Sequence, residues 1–211
     1  MKEWGVDIIS MSFGFPEAPP EIEKAIMYAR SHNVLLLAAA SNCGANKAVT
    51  WPANDESVIS IYATSGDGNR YLRNPTPGPG RNFATLGSSV LALWPPDEED
   101  VPKWVHKSGT STATPMAAGI AGLVLQVMES RKEAYLASQK LRHRNMTKIT
   151  ETYRRKLTKL RTRRGMSAVF QLMVGDEGKR DNYDYVAPWR LFKKEETDHY
   201  MIQQILNAIP L

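Results

Sequence analysis

The chain has 211 residues, room for one ordinary domain and an appendage, and its 42% hydrophobic and 23% charged residues exclude a disordered polyelectrolyte. A single cysteine, Cys43, excludes an internal disulfide framework and favours a reducing, intracellular setting. The formal net charge of +5 points to an acidic partner, but the excess is local; no stretch reads as an apolar leader or a membrane span.

Asp7 to Ser12 reads as a strand, and Pro20 to Ser31 as an amphipathic helix with proline in its first turn. Val34 to Ala40 is apolar without a break, as expected of a strand covered on both faces. Ser57 to Ala63 predicts a further strand, followed by a Gly/Pro/Asn-rich loop from Ser65 to Asn82. Ser89 to Leu93 predicts a short strand, and Pro95 to Pro102 an acidic, proline-flanked surface loop. Met116 to Met128 is apolar nearly all round, which predicts a buried helix whose Ala117, Ala118, Gly119, Ala121 and Gly122 allow close packing. Alternating strands and helices of this kind predict an α/β domain with a doubly wound, mostly parallel sheet.

The composition shifts after Ser130. Arg131 to Arg164 is rich in lysine and arginine, with Leu136, Leu141, Ile149, Tyr153, Leu157 and Leu160 at roughly helical spacing, until Gly165 breaks the pattern. Met166 to Val174 predicts a shorter helix and Gly175 to Asp184 a polar turn; Tyr185 to Phe192 and Thr197 to Leu206 read as a partly ordered tail. Two parts are expected, residues 1–130 as the α/β unit and 131–211 as a basic helical extension.

Chemistry concentrates beyond the carboxyl ends of the predicted strands, where α/β sheets bind ligands. Ser12-Phe13-Gly14 follows the first strand and Ser41-Asn42 the buried apolar one. Ser111, in Gly109-Thr110-Ser111-Thr112-Ala113-Thr114-Pro115, stands between a small-residue turn and an apolar helix, where backbone N–H groups and the helix dipole favour developing negative charge. A nucleophile, an amide side chain and a glycine-containing turn are the minimal kit for acyl transfer.

That seven-residue segment resembles the serine signature of the subtilisin-like serine peptidases, the subtilases. The upstream landmarks Ile9-Ser10-Met11-Ser12-Phe13-Gly14, Leu37-Ala38-Ala39-Ala40-Ser41-Asn42 and Trp51-Pro52 agree in order and spacing, so the resemblance covers about Gly5 to Met128, the second half of such a catalytic domain. It implies a serine endopeptidase acting on polypeptides, with Ser111 as nucleophile and Asn42 as the side-chain oxyanion donor. Ser12, Phe13 and Gly14 on one side, and Ala39, Ala40 and Ser41 on the other, are implied as walls of the primary specificity pocket, with Trp51-Pro52 a cis peptide near its far end. No cofactor or metal ligand is implied, and a structural calcium is left open. The blander readings are a helix-capping role for Ser111 and a turn role for Asn42.

The chain departs from the family in three places. Ser41 stands where glycine is usual, Met116 where histidine is usual, and Leu86-Gly87 lacks a common proline. The triad order of the family is Asp, His, Ser, and neither the Asp nor the His motif occurs in these 211 residues. His32 reads as the end of the first helix, His106 as a strand or loop residue, and His143 and His199 as parts of the extension. Asp7 and Asp67 do not match the triad acid by position. The sequence reading is therefore a subtilase domain whose amino-terminal half is missing, and which needs that half as a complementing partner for stability and for a base. The alternative is an inactive interaction or regulatory fragment.

The densest charge cluster comprises Arg142, Arg144, Lys148, Arg154, Arg155, Lys156, Lys159, Arg161, Arg163 and Arg164. No aromatic stacking platform interleaves with it, so a solvated face over an apolar stripe is expected and nucleic acid is not the expected partner. Arg164 to Phe170 and Tyr183 to Trp189 resemble tails that follow subtilase domains in large fungal multidomain proteins, which implies a regulatory or linking role and no chemistry.

Overall fold

The structure, a computed structural model, describes residues 5–45, 47–95, 103–140, 145–193 and 197–210. The unbroken apolar run becomes strand β2 (Leu35–Ala39), buried at all five positions. It lies between β1 (Ile8–Met11) and β3 (Ile59–Thr64), both parallel to it. Parallel β4 (Phe83–Leu86) and β8 (Tyr183–Tyr185) extend the sheet, and antiparallel β7 (Lys179–Arg180) ends it, in the order β1-β2-β3-β4-β8-β7. A separate antiparallel hairpin joins β5 (Val90–Trp94) to β6 (Lys103–Lys107).

Side chains alternate across the sheet and feed two layers. Met11, Leu36 and Ala38 face α1 (Pro20–Ser31), which contributes Ile26 and Ala29. Leu35, Leu37, Ile59 and Ile61 face the larger core around α2 (Thr110–Ser130). Ala113, Ala117 and Ala121 are fully buried on α2, and their small side chains let its axis approach the strands. Contrary to the sequence reading, α2 is long and apolar enough, by length and composition alone, to cross a bilayer. Its Val124 and Met128 are instead fully buried in the sheet-packed core, while Met116 and Leu123 remain exposed.

The residues after Ser130 form α3 (Lys132–Lys140), α4 (Met146–Leu160), α5 (Arg163–Val174) and α6 (Asp198–Ala208). Leu136, Tyr153, Leu157, Phe170 and Ile205 enter the same core as Leu37 and Ile61, so the hydrophobic core runs across residue 130. Phe170 meets Phe83 of β4 edge-on at 5.5 Å. Tyr153 Oη donates to the Met128 carbonyl at 2.5 Å. Arg161 reaches Asp7 at 2.9 Å and Glu129 at 3.2 Å, tying the end of α4 to the first strand and to α2. The apolar stripe Ile149, Tyr153, Leu157 and Leu160 thus packs inward while Arg154 and Arg155 stay exposed. Leu141 to Arg144, which include two of the cluster's arginines and His143, lie outside the described residues, as does most of the acidic loop, Pro96 to Pro102.

Four local expectations are corrected. Tyr183–Tyr185 is a strand rather than the end of a turn and the beginning of a loose tail, because Asp184 N donates to Asn82 O and Val186 N to Ala84 O. Phe83–Leu86 is a strand between the predicted ones, too short for periodicity to reveal. Gly165 lies inside α5 and does not break it; a Cβ there would sit 2.0 Å from the Lys159 carbonyl oxygen, so glycine serves the α4–α5 approach. The fourth concerns α2, which begins at Thr110 and contains Pro115.

Candidate active site

Parallel pairing of Met11 with Ala38 carries both chains out of the sheet at the same end. Ser12-Phe13-Gly14 therefore emerges beside Ala39-Ala40-Ser41, at the carboxyl edge of the strands. Thr50 and Trp51 strap the two segments together. Thr50 donates to the Ala40 carbonyl from N at 3.1 Å and from Oγ1 at 3.3 Å, while Phe15 and Trp51 exchange backbone bonds of 2.7 and 3.0 Å. A Cβ on Gly14 would lie 2.3 Å from Thr50 Oγ1, so this crossing requires glycine. The Trp51–Pro52 peptide is cis. Ala39 and Ala40 are buried, whereas Ser12, Gly14 and Phe13, the last 45% exposed, face solvent.

Ser41 has a φ of +147°, in the region that favours glycine. The serine there is a local rule broken at the site, and its Oγ accepts the Cys43 N–H at 3.2 Å.

Pro115 shapes the start of α2. Proline has no N–H, so the Ser111 carbonyl one turn earlier lacks its helical donor. Ser12 Oγ fills that place, donating to the Ser111 carbonyl at 3.0 Å. The segment after β1 and the first turn of α2 are thereby linked through one hydroxyl. Thr85 Oγ1 donates to the Ala113 carbonyl at 2.7 Å and holds the same turn against β4. Gly109, not Ser111, is the helix N-cap, which removes the capping reading of Ser111. Ser111 is exposed in the first turn, where N–H groups have no partner within the helix.

Asn42 is held by that same turn. Its Oδ1 accepts from Thr110 N at 2.8 Å and lies 3.3 Å from Thr110 Oγ1. Because a backbone N–H can only donate, the carboxamide oxygen must face the helix, and Nδ2 is the group turned outward to donate. A Cβ on Gly109 would lie 3.0 Å from Nδ2 and 3.1 Å from Oδ1. Glycine at 109 makes room for the amide. The structure thus brings Asn42, the Ser111 turn and Ser12 together, a long-range contact rather than the local turn role.

The described histidines are engaged elsewhere. His32 Nδ1 lies 2.8 Å from the Tyr28 carbonyl, His106 Nδ1 3.0 Å from the Ser89 carbonyl, and His199 Nδ1 3.0 Å from Ser138 Oγ with its ring stacked on Tyr135. Asp7 pairs with Arg161, and Asp67 sits in a turn whose carbonyl accepts from Arg180. Among the described residues, no group of three or more His, Cys, Asp or Glu side chains gathers as a metal site would.

A profile of the subtilase family, peptidase family S8, matches residues 2–170. The chain belongs to the subtilase family. It is 32% identical over 149 residues to the thermostable alkaline protease of Halalkalibacterium halodurans, covering 69% of this chain and 38% of that protein. It is 31% identical over 128 residues to subtilisin BL of Lederbergia lenta, covering 59% of this chain and 45% of the relative. The chain thus spans less than half the length of these two relatives. Among solved structures, the prenylagaramide maturation protease PagA superposes with a TM-score of 0.61 at 20% identity, covering all of this chain and 64% of the other. The patellamide maturation protease PatA gives a TM-score of 0.59 at 21% identity, covering 96% and 65%. Both support the α/β, mostly parallel fold. Sequence reasoning did not find Thr110 or Gly109 as the residues that hold and accommodate Asn42; the glycine in the serine segment was the available signal.

Proposed function

We propose that this chain carries the nucleophile and oxyanion side of a serine endopeptidase site. Ser111 Oγ attacks a peptide carbonyl, and Asn42 Nδ2 and the Ser111 N–H take the oxyanion. Ser12, Phe13 and Gly14, with Ala39, Ala40 and Ser41, receive the side chain preceding the scissile bond. The base and its orienting carboxylate come from a complementing amino-terminal half of the domain. The base takes the Ser111 proton and returns it to the departing amine; water then attacks the acyl-serine and regenerates the hydroxyl. The observation that carries this reading is the Thr110 N–H bond to Asn42 Oδ1, which turns Nδ2 outward beside the first turn of α2.

In subtilisin, losing the corresponding asparagine costs about 10²–10³ in turnover. The test is peptide hydrolysis by this chain reconstituted with the complementing half. Ser111→Ala is expected to abolish hydrolysis, and Asn42→Ala to lower kcat by about 10²–10³ with little change in KM. An Asn42→Ala enzyme with unaltered kcat refutes the oxyanion assignment.

A second reading has its own observation. The three described histidines are all engaged away from Ser111, which favours an inactive interaction or regulatory fragment. No hydrolysis by any reconstituted mixture that folds would select it.

A further inference from the structure

At the amino ends of β2, β3 and β4, the end of the sheet opposite Ser12 and Asn42, lies a cleft of about 590 Å³. Val34, Ile59 and Phe83 form part of its floor, and its rim is arginine: Arg30, Arg81, Arg161, Arg163 and Arg164 against one carboxylate, Glu56. We propose that this cleft binds a compact, multiply charged phosphate anion.

Five arginines line one opening and come from four different parts of the fold, with Arg161 and Arg81 lending their stems while their guanidiniums turn to carboxylates outside it. Arg30 comes from α1, Arg81 from the loop before β4, Arg161 from the end of α4, and Arg163 and Arg164 from α5. The carboxylates that answer some of these charges lie at the edges. Glu56 pairs with Arg30 at 3.1 Å, Arg161 turns to Asp7 and Glu129, and Arg81 reaches Asp184 at 3.7 Å. Asp7, Glu129 and Asp184 do not line the cleft, and Arg164 has no ion pair among the described residues. Arg163 is already oriented, donating from Nη1 to the Glu56 carbonyl at 2.7 Å.

The first turn of α5 also opens here. Its N-cap Thr162 accepts the Gly165 N–H at 3.2 Å, and Thr162, Arg163 and Arg164 all line the cleft, so the positive end of a twelve-residue helix adds to the arginine charge. Guanidinium forks match phosphate oxygens two at a time, and the hydroxyls of Ser60 and Ser167 add neutral groups on the same walls. The charge closes on one concavity instead of running as a stripe, which suits a small polyanion rather than a nucleic-acid backbone. The site is separate from the Ser111 turn, so it does not depend on the peptidase reading.

The probe is sodium tripolyphosphate, titrated calorimetrically into the 211-residue chain at physiological ionic strength. Saturable binding at one site is expected. Arg163→Gln with Arg164→Gln should weaken it by at least about tenfold, the loss of two charge-assisted contacts. Arg154→Gln with Arg155→Gln, on the exposed face of α4, should leave it unchanged. Glu56→Gln should strengthen binding by releasing Arg30, a gain that a misfolded variant does not imitate. Adenosine triphosphate should bind comparably, through its phosphates. The proposal is overturned by the absence of saturable binding, by equal losses in the two arginine pairs, by weaker binding in Glu56→Gln, or by binding of the nucleotide without tripolyphosphate.

Discussion

Gly109→Ala tests how the backbone holds Asn42. The new methyl has two separable costs. A φ of +151° is strained for any residue with a Cβ, at about 1–3 kcal/mol. The Cβ would also lie 3.0 Å from Asn42 Nδ2 and 3.3 Å from Cγ, so the amide must move and the 2.8 Å bond from Thr110 N lengthens. Loss of that bond adds about 0.5–1.5 kcal/mol, for a total of about 1.5–4.5 kcal/mol. Asn42→Ala alone should cost about 1–3 kcal/mol by leaving the Thr110 N–H unpaired. In the Asn42→Ala background there is no amide to push, so Gly109→Ala should cost only its backbone strain. The double variant should therefore be more stable than the sum of the singles by about 0.5–1.5 kcal/mol. Urea unfolding of the parent and the three variants, each with the complementing half, measures the cycle, and exchange of the Thr110 amide reports the bond directly. Additive singles, or a Thr110 amide equally protected in Gly109→Ala, would refute the reasoning.

Three further outcomes follow from the same contacts. Ser41→Gly should stabilise the chain by about 0.5–2 kcal/mol, because relief of strain at φ +147° outweighs the greater chain entropy of glycine; a lower urea midpoint would contradict it. Ser12→Ala strips the donor from the Ser111 carbonyl, which Pro115 cannot replace; a loss of about 0.5–1 kcal/mol in unfolding is expected, and no loss would mean that water serves as well. Burial, with the nearby Glu129 charge and Tyr135, pushes the Tyr153 phenol above its ordinary 10.0. That neutral phenol's stabilisation is complete below pH 10.0 and is lost as pH rises through the higher folded value. Tyr153→Phe should lose less stability than the parent between pH 9 and about pH 11, and identical pH slopes would remove Tyr153 from that account.

Most of the parallel sheet was readable because its strands carry the pattern that burial demands. Leu35–Ala39 is apolar at every position since both faces are covered, and Pro20 fixed the start of α1. The meeting of the Ser111 turn with the Asn42 loop was readable through short segments whose residues are constrained by backbone chemistry. What escaped is long-range. Phe83–Leu86 has too few residues for a period, and Tyr183–Tyr185 becomes a strand only because Asn82 and Ala84 offer carbonyls to it. Gly165 looked like a breaker because nothing local shows that Lys159 O lies where its side chain would be. Pro115 hid the helix start: proline is tolerated in a first turn, and the carbonyl it leaves free is taken by Ser12, far away in sequence. The arginines of the cleft were visible as a charge cluster, but only the fold separates those on α4's solvated face from those that converge on the sheet.

The central claim is that Ser111 is a nucleophile whose base lies on another segment. Labelling with a fluorophosphonate probe, read on one gel, tests it most directly. In the parent chain alone no label is expected, since the base deficit is on the order of 10⁶ in rate. With the complementing amino-terminal half added, Ser111 should label, and Ser111→Ala should not. Labelling of the chain alone that vanishes in Ser111→Ala, or a folded complex that never labels, would contradict the account.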